Sequence, residues 1–111
     1  MSGKYKPPDD VRGTPEFKAF LHELNIESDL YKIIKKGMDD LGNDMLVGEK
    51  VEKKKWPKIY VRKYGITSLF KLNLDRDYRL TYTIIAEGMK KIICIIEVMN
   101  HKEYNRRFDY R

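Results

Sequence analysis

Two cations on neighbouring apolar segments are the residues of this chain best suited to chemistry. Lys71 stands in FKLN and Arg79 in YRLTYT, with Asp75-Arg76-Asp77 between the two segments. A guanidinium presents a planar fork of donors that matches phosphate oxygens, and an ammonium beside it adds a compact charge. Together they can hold a phosphate, or stabilise the charge that grows on it in a transition state. Asn73 and Thr81 supply small polar groups able to hydrogen-bond the same ligand. The bland alternative is that Lys71 and Arg79 are ordinary solvent-facing strand charges.

What brings these residues together is a hairpin. Leu69–Leu74 and Tyr78–Ile85 are rich in aromatic and β-branched residues and flank a short polar turn. A three-residue loop pairs Leu74 with Tyr78, Leu72 with Leu80 and Phe70 with Tyr82. Alternation puts these six on one apolar face. Asn73 then lies beside Arg79, and Lys71 beside Thr81, on the other. A slip of one residue would reverse the faces.

The charge of the chain points to the same kind of ligand. Residues 1–43 hold 7 Lys/Arg against 8 Asp/Glu, and residues 44–111 hold 16 against 9, so the net +6 comes from the second part. Such asymmetry points to a polyanion, nucleic acid first; solubility or a high working temperature is the alternative. Within it, Lys50, Lys53, Lys54, Lys55, Lys58, Arg62 and Lys63 crowd around Trp56, Tyr60 and Tyr64. Cations interleaved with aromatics can hold phosphates and stack on unpaired bases. The same stretch also reads as a solvated lysine loop with its aromatics turned inward. No apolar run is long enough to span a membrane. MSGKYKPPDD lacks the apolar middle of a signal peptide, so a cytoplasmic protein is expected. His22 and His101 are far apart in sequence and lack the spacing of a metal site. Phosphate-binding glycine loops and a nucleophile elbow are absent too.

Residues 1–13 read as a flexible arm, with room for a short edge strand near Val11. Residues 14–111 read as a single domain. Thr14-Pro15 begins a helix carrying Phe17, Phe20, Leu21 and Leu24, and Ser28 caps a second with Leu30, Ile33, Ile34, Gly37, Met38 and Leu41. The short link between them predicts an antiparallel helical hairpin. Ile59–Tyr64 reads as a strand. Ile92–Ile96 is apolar at every position, so that strand must be covered on both faces, the second by the tail or a partner chain. The tail after Asn100 reads as a helical turn packed by Tyr104 and Phe108. The fold class expected is α+β, with an N-terminal antiparallel helical hairpin packed on a twisted, mainly antiparallel β-sheet.

The order of these pieces resembles the RelE/ParE superfamily of toxin–antitoxin toxins. The resemblance rests on LFKL, then YRLTYT, then an apolar strand and HKEY, and it extends over residues 14–111. It implies a toxin that cuts mRNA in the ribosomal A site without a metal or other cofactor. In such enzymes the 2′-hydroxyl attacks the neighbouring phosphate and leaves a 2′,3′-cyclic end. Arg79 matches the family arginine and Lys71 the lysine of the preceding strand, whereas Asn73 stands where a second basic residue is common. His101 and Lys102 fall at the basic pair after the last strand. Tyr104 is nearest the C-terminal tyrosine, with Phe108 the other candidate for that position. The resemblance thus implies catalytic roles for Arg79, Lys71, His101, Lys102 and Tyr104. Contacts to RNA would come from Lys53, Lys54, Lys55, Lys58, Arg62, Asn73, Thr81 and Arg106. It also implies a small acidic antitoxin as partner, with mRNA and the ribosome as targets and no membrane. ParE-like relatives, which inhibit DNA gyrase, and non-catalytic RNA- or protein-binding relatives of the fold stay open as alternatives.

Overall fold

The hairpin that carries Lys71 and Arg79 forms the middle of an α+β fold in the computed structural model, which describes residues 6–108. Phe70–Asn73 (β3) and Tyr78–Glu87 (β4) pair antiparallel in the expected register, Phe70 with Tyr82, Lys71 with Thr81, Leu72 with Leu80 and Asn73 with Arg79. Lys90–Asn100 (β5) runs antiparallel to β4, across a turn at Gly88 with a φ of 62°. Glu49–Lys50 (β2) extends the other edge beside β3, and Asp10–Gly13 (β1) pairs in parallel with β5. The five-stranded sheet is therefore ordered β1-β5-β4-β3-β2. The 1–13 arm needs a correction at its end, because Asp10–Gly13 belongs to the sheet as the anticipated edge strand.

Pro15–Glu23 (α1) and Asp29–Asn43 (α2) cover one face. Their starts follow from local chemistry: the Phe17 N–H donates to the Thr14 hydroxyl at 3.1 Å, and the Tyr31 N–H to the Ser28 hydroxyl at 3.2 Å. Phe17, Ile34 and Leu41 meet Phe70, Leu80, Tyr82, Ile93 and Ile95 in the core beneath them. The expected N-terminal helical hairpin is not what forms. A strand precedes both helices, and each takes its place from the sheet, α1 against β1 and β5 and α2 against β1. Phe20 of the α1 stripe stays 38% exposed, while Leu21 and Leu24 pack against the core. At Gly37, α2 approaches the sheet so closely that a Cβ would lie 2.5 Å from the Leu74 side chain.

A second core lies on the opposite face, where Lys58–Tyr64 (α3) and His101–Arg107 (α4) cover Leu69, Ile96 and Met99 with Tyr60, Tyr104 and Phe108. This provides the double covering that Ile92–Ile96 demanded, and the tail supplies part of it. α3 corrects the strand expected over 59–64. Ile59 and Val61 imitate strand alternation, yet they are 42% and 46% exposed, while Tyr60 and Tyr64 face inward one helical turn apart. Pro57 opens the helix and Gly65 closes it in the left-handed region at φ 58°.

Candidate functional site

Alternation along β3 and β4 sends Phe70, Leu72, Leu80 and Tyr82 into the α1–α2 core, so Lys71, Asn73, Arg79 and Thr81 emerge on the α3–α4 face. There α4 supplies their platform. The Asn100 side chain accepts from the Glu103 N–H at 2.8 Å, and the Glu103 carboxylate accepts from the Asn100 N–H at 3.0 Å. This capping box turns the chain into a helix at the last residue of β5. Tyr104 and Phe108, four residues apart, consequently face the sheet, with ring centres 4.2 Å apart.

Both cations converge on Tyr104. The Arg79 guanidinium carbon lies 4.6 Å from the ring centre and Lys71 Nζ lies 5.6 Å from it. An aromatic face carries negative quadrupole density, so one ring attracts both heads and offsets part of their mutual repulsion. Lys71 and Arg79 are each half-buried, neither loose solvent charges nor sealed under a helix. Such an arrangement can present a guanidinium fork and an ammonium together to one phosphate.

The other expected site residues divide. Asn73 is exposed and directly across from Arg79 in the register. His101 is exposed at the start of α4, and its N–H donates to the Asp77 carbonyl at 2.9 Å, which fixes it at the Arg79 end of the sheet. Lys102 and Arg106, also four residues apart, share the outward stripe of α4, so Lys102 does not join the Arg79 group. Lys53, Lys54 and Lys55 form an exposed 3-10 turn before α3; Lys58 and Arg62 are exposed on α3 itself. Two expectations are corrected. Thr81 is 0% exposed and lies under α3, 3.1 Å from the Tyr60 hydroxyl, where no substrate can touch it. Tyr104 is likewise 0% exposed, so it holds the cations in place and is not an accessible proton carrier.

Sequence reasoning missed the polar network under this site. Glu97 is the one charge inside the apolar body of β5, and that isolation was the available signal. It sits beside a bulge between Thr81 and Tyr82, accepts from the Tyr60 hydroxyl, and binds Arg107 through Nε at 3.1 Å and Nη2 at 3.3 Å. Burial, then the Glu97 carboxylate, drives the Tyr60 phenol far above its usual range. One carboxylate on β5 thereby ties that strand to α3 and α4. A second tie joins α1 to α3: Glu16 pairs with Lys63 at 2.8 Å and accepts from the Tyr64 hydroxyl at 2.7 Å. Those two hydrogen bonds bring the Glu16 carboxyl down to about 2.

Among the described residues no helix is long and apolar enough to cross a membrane, and no group of three or more His, Cys, Asp or Glu could hold a metal ion. Comparison of the chain with protein-family models, with curated proteins and with solved structures gives no match.

Proposed function

We propose that the Lys71–Arg79 face is the phosphate-handling centre of a RelE-like endoribonuclease toxin, which cuts mRNA on the ribosome and so inhibits translation. The observation that carries this reading is the gathering of both cations on the Tyr104 ring, on the sheet face away from α1 and α2. Further support comes from the order of elements: helices, a basic segment, the YRLTYT strand, an apolar strand and an aromatic terminal helix. In this reading the 2′-hydroxyl oxygen attacks the adjacent phosphorus and the bond to the 5′-oxygen breaks. The products are a 2′,3′-cyclic phosphate and a 5′-hydroxyl. Arg79 and Lys71 stabilise the charge on the pentavalent phosphate. His101, exposed at the start of α4, accepts the 2′-hydroxyl proton, and the 5′-oxygen takes a proton from water as it leaves. An acidic antitoxin that neutralises the same face belongs to the proposal.

The test is expression of wild-type protein and Arg79→Ala in a growing host, with RNA ends sequenced. Wild type arrests growth and leaves codon-phased breaks in translated mRNA. Arg79→Ala stays folded and loses about 10²–10³-fold in cleavage, on the order of 3 kcal/mol in the barrier. A folded Arg79→Ala protein of undiminished toxicity overturns the proposal. The neutral Asn73 opposite Arg79 favours a second reading, a ParE-like gyrase inhibitor. Gyrase-linked DNA breaks with intact mRNA would select it.

A further inference from the structure

Two adjoining clefts lie between the α4 helix and the lysine-rich flank of α3. One, of about 430 Å³, includes Lys58, Arg106 and Arg107; the other, of about 460 Å³, includes Lys54, Lys55, Trp56 and Phe108. Pro57, Lys58 and Arg107 line both, so the two form one continuous groove. Five cations face or border it. Of the nearby acids, Glu103 is committed to the cap of α4, while Glu52 and Glu97 pair with two of the groove's own cations, Lys54 and Arg107. Arg107 is held on two of its nitrogens by Glu97 and is therefore preorganised. Trp56 is fixed as well, its indole N–H donating to the Val51 carbonyl at 2.9 Å, so the groove has a rigid aromatic wall. At its inner end stands Phe108, which stacks on the Tyr104 ring that gathers Lys71 and Arg79.

We infer that this groove binds single-stranded RNA, its cations holding backbone phosphates and Trp56 stacking on an unpaired base. The choice of single-stranded nucleic acid follows from the pairing of features. Cations alone would serve any polyanion, but a fixed indole among them has most to gain from a base whose π-face is free, which a duplex hides and an acidic peptide lacks. Its place beside Phe108 makes the groove a path for the strand leading away from the phosphate at Arg79. The inference therefore rests on the RNA reading of that centre, yet it involves different residues.

Trp56 is the single tryptophan of the chain, so its fluorescence reports on the groove directly. The probe is a 2′-O-methyl oligouridine of about ten nucleotides, which cannot undergo 2′-hydroxyl attack, titrated into the full-length protein. Saturable quenching that weakens as salt rises is expected. Lys58→Ala combined with Arg106→Ala, both exposed and outside the core, weakens binding by about tenfold or more, whereas Lys32→Ala combined with Lys35→Ala, exposed on α2 across the sheet, changes it by less than about threefold. A thermal melt confirms that the variants are folded. Absence of quenching, or binding indifferent to Lys58 and Arg106, overturns the inference. An equal or stronger response to a duplex also overturns it, and one to poly-glutamate assigns the groove to an acidic protein partner. The two proposals fail separately: a toxic Arg79→Ala protein removes the nuclease reading while Trp56 quenching stands, and the converse holds as well.

Discussion

Tyr104 decides how Arg79 and Lys71 are presented. Because its ring, and not an accessible hydroxyl, meets the two cations, the chemistry at this position should depend on the aromatic face. Under the nuclease proposal, Tyr104→Phe is expected to keep RNA cleavage within about threefold of wild type, and Tyr104→Leu, smaller and without the quadrupole, to lose about tenfold. Single-turnover cleavage rates on folded variants measure this, and an inactive Tyr104→Phe would return the hydroxyl to a proton-transfer role. The pairing of Lys71 with Thr81 and of Asn73 with Arg79 was readable from alternation alone, because a strand has a period of two and its apolar face must be buried. What covers the second face was not readable. Alternation assigns a residue to a side of the sheet without saying what lies above it, and so Thr81 and Arg79, two residues apart, have opposite fates.

At the scale of elements, the site depends on how α3 and α4 are held over the sheet. Glu97 serves both, and Glu97→Ala leaves the buried Tyr60 hydroxyl with only Thr81 as partner and frees Arg107. A loss of about 1–3 kcal/mol in urea unfolding is expected, and under the nuclease proposal RNA cleavage falls as α4 loosens. At the sheet edge, the Gly48 N–H donates to the Tyr82 hydroxyl at 3.1 Å, and that hydroxyl donates to the Met45 carbonyl at 2.8 Å. A Cβ on Gly48 would stand 2.5 Å from the Lys71 carbonyl oxygen, a backbone atom unable to move aside. Gly48→Ala should therefore cost about 1–3 kcal/mol by the same measurement and displace the backbone of Lys71. The helical caps at Thr14 and Ser28 were legible because they act locally. The identity of α3 was not, because Ile59 and Val61 carry strand-like alternation on its exposed side, and only packing of Tyr60 and Tyr64 against Phe108 and Glu16 resolves the period.

For the whole molecule, pH sets limits on both sides. The Glu16 carboxyl is brought down to about 2 by Lys63 and Tyr64, so its contribution is present above its usual 4.5 and is lost as pH falls through about 2. Burial pushes the Tyr82 phenol up to about 12, and burial with the Glu16 hydrogen bond does the same for Tyr64. Their neutral forms are favoured in the fold, so that contribution is complete below the usual 10 and is lost as pH rises through about 12. Thermal melts should accordingly show a plateau from a pH of about 5 to about 9 with decline on either side. Deleting residues 1–13 removes β1 as well as the segment before it, and should lower the melting temperature by several degrees, about 1–3 kcal/mol, through the uncovered edge of β5.

That parallel pairing joins Asp10–Gly13 to Ile92–Ile95, segments from nearly opposite ends of the chain. Such a contact forms only after a long loop has closed, which slows folding and postpones it until late in synthesis. A nascent chain that stops short of Ile92 has neither β5 nor the helix bearing Tyr104. If the protein acts on translating ribosomes, each new molecule is harmless to the one that makes it until the helix bearing Tyr104 has been made.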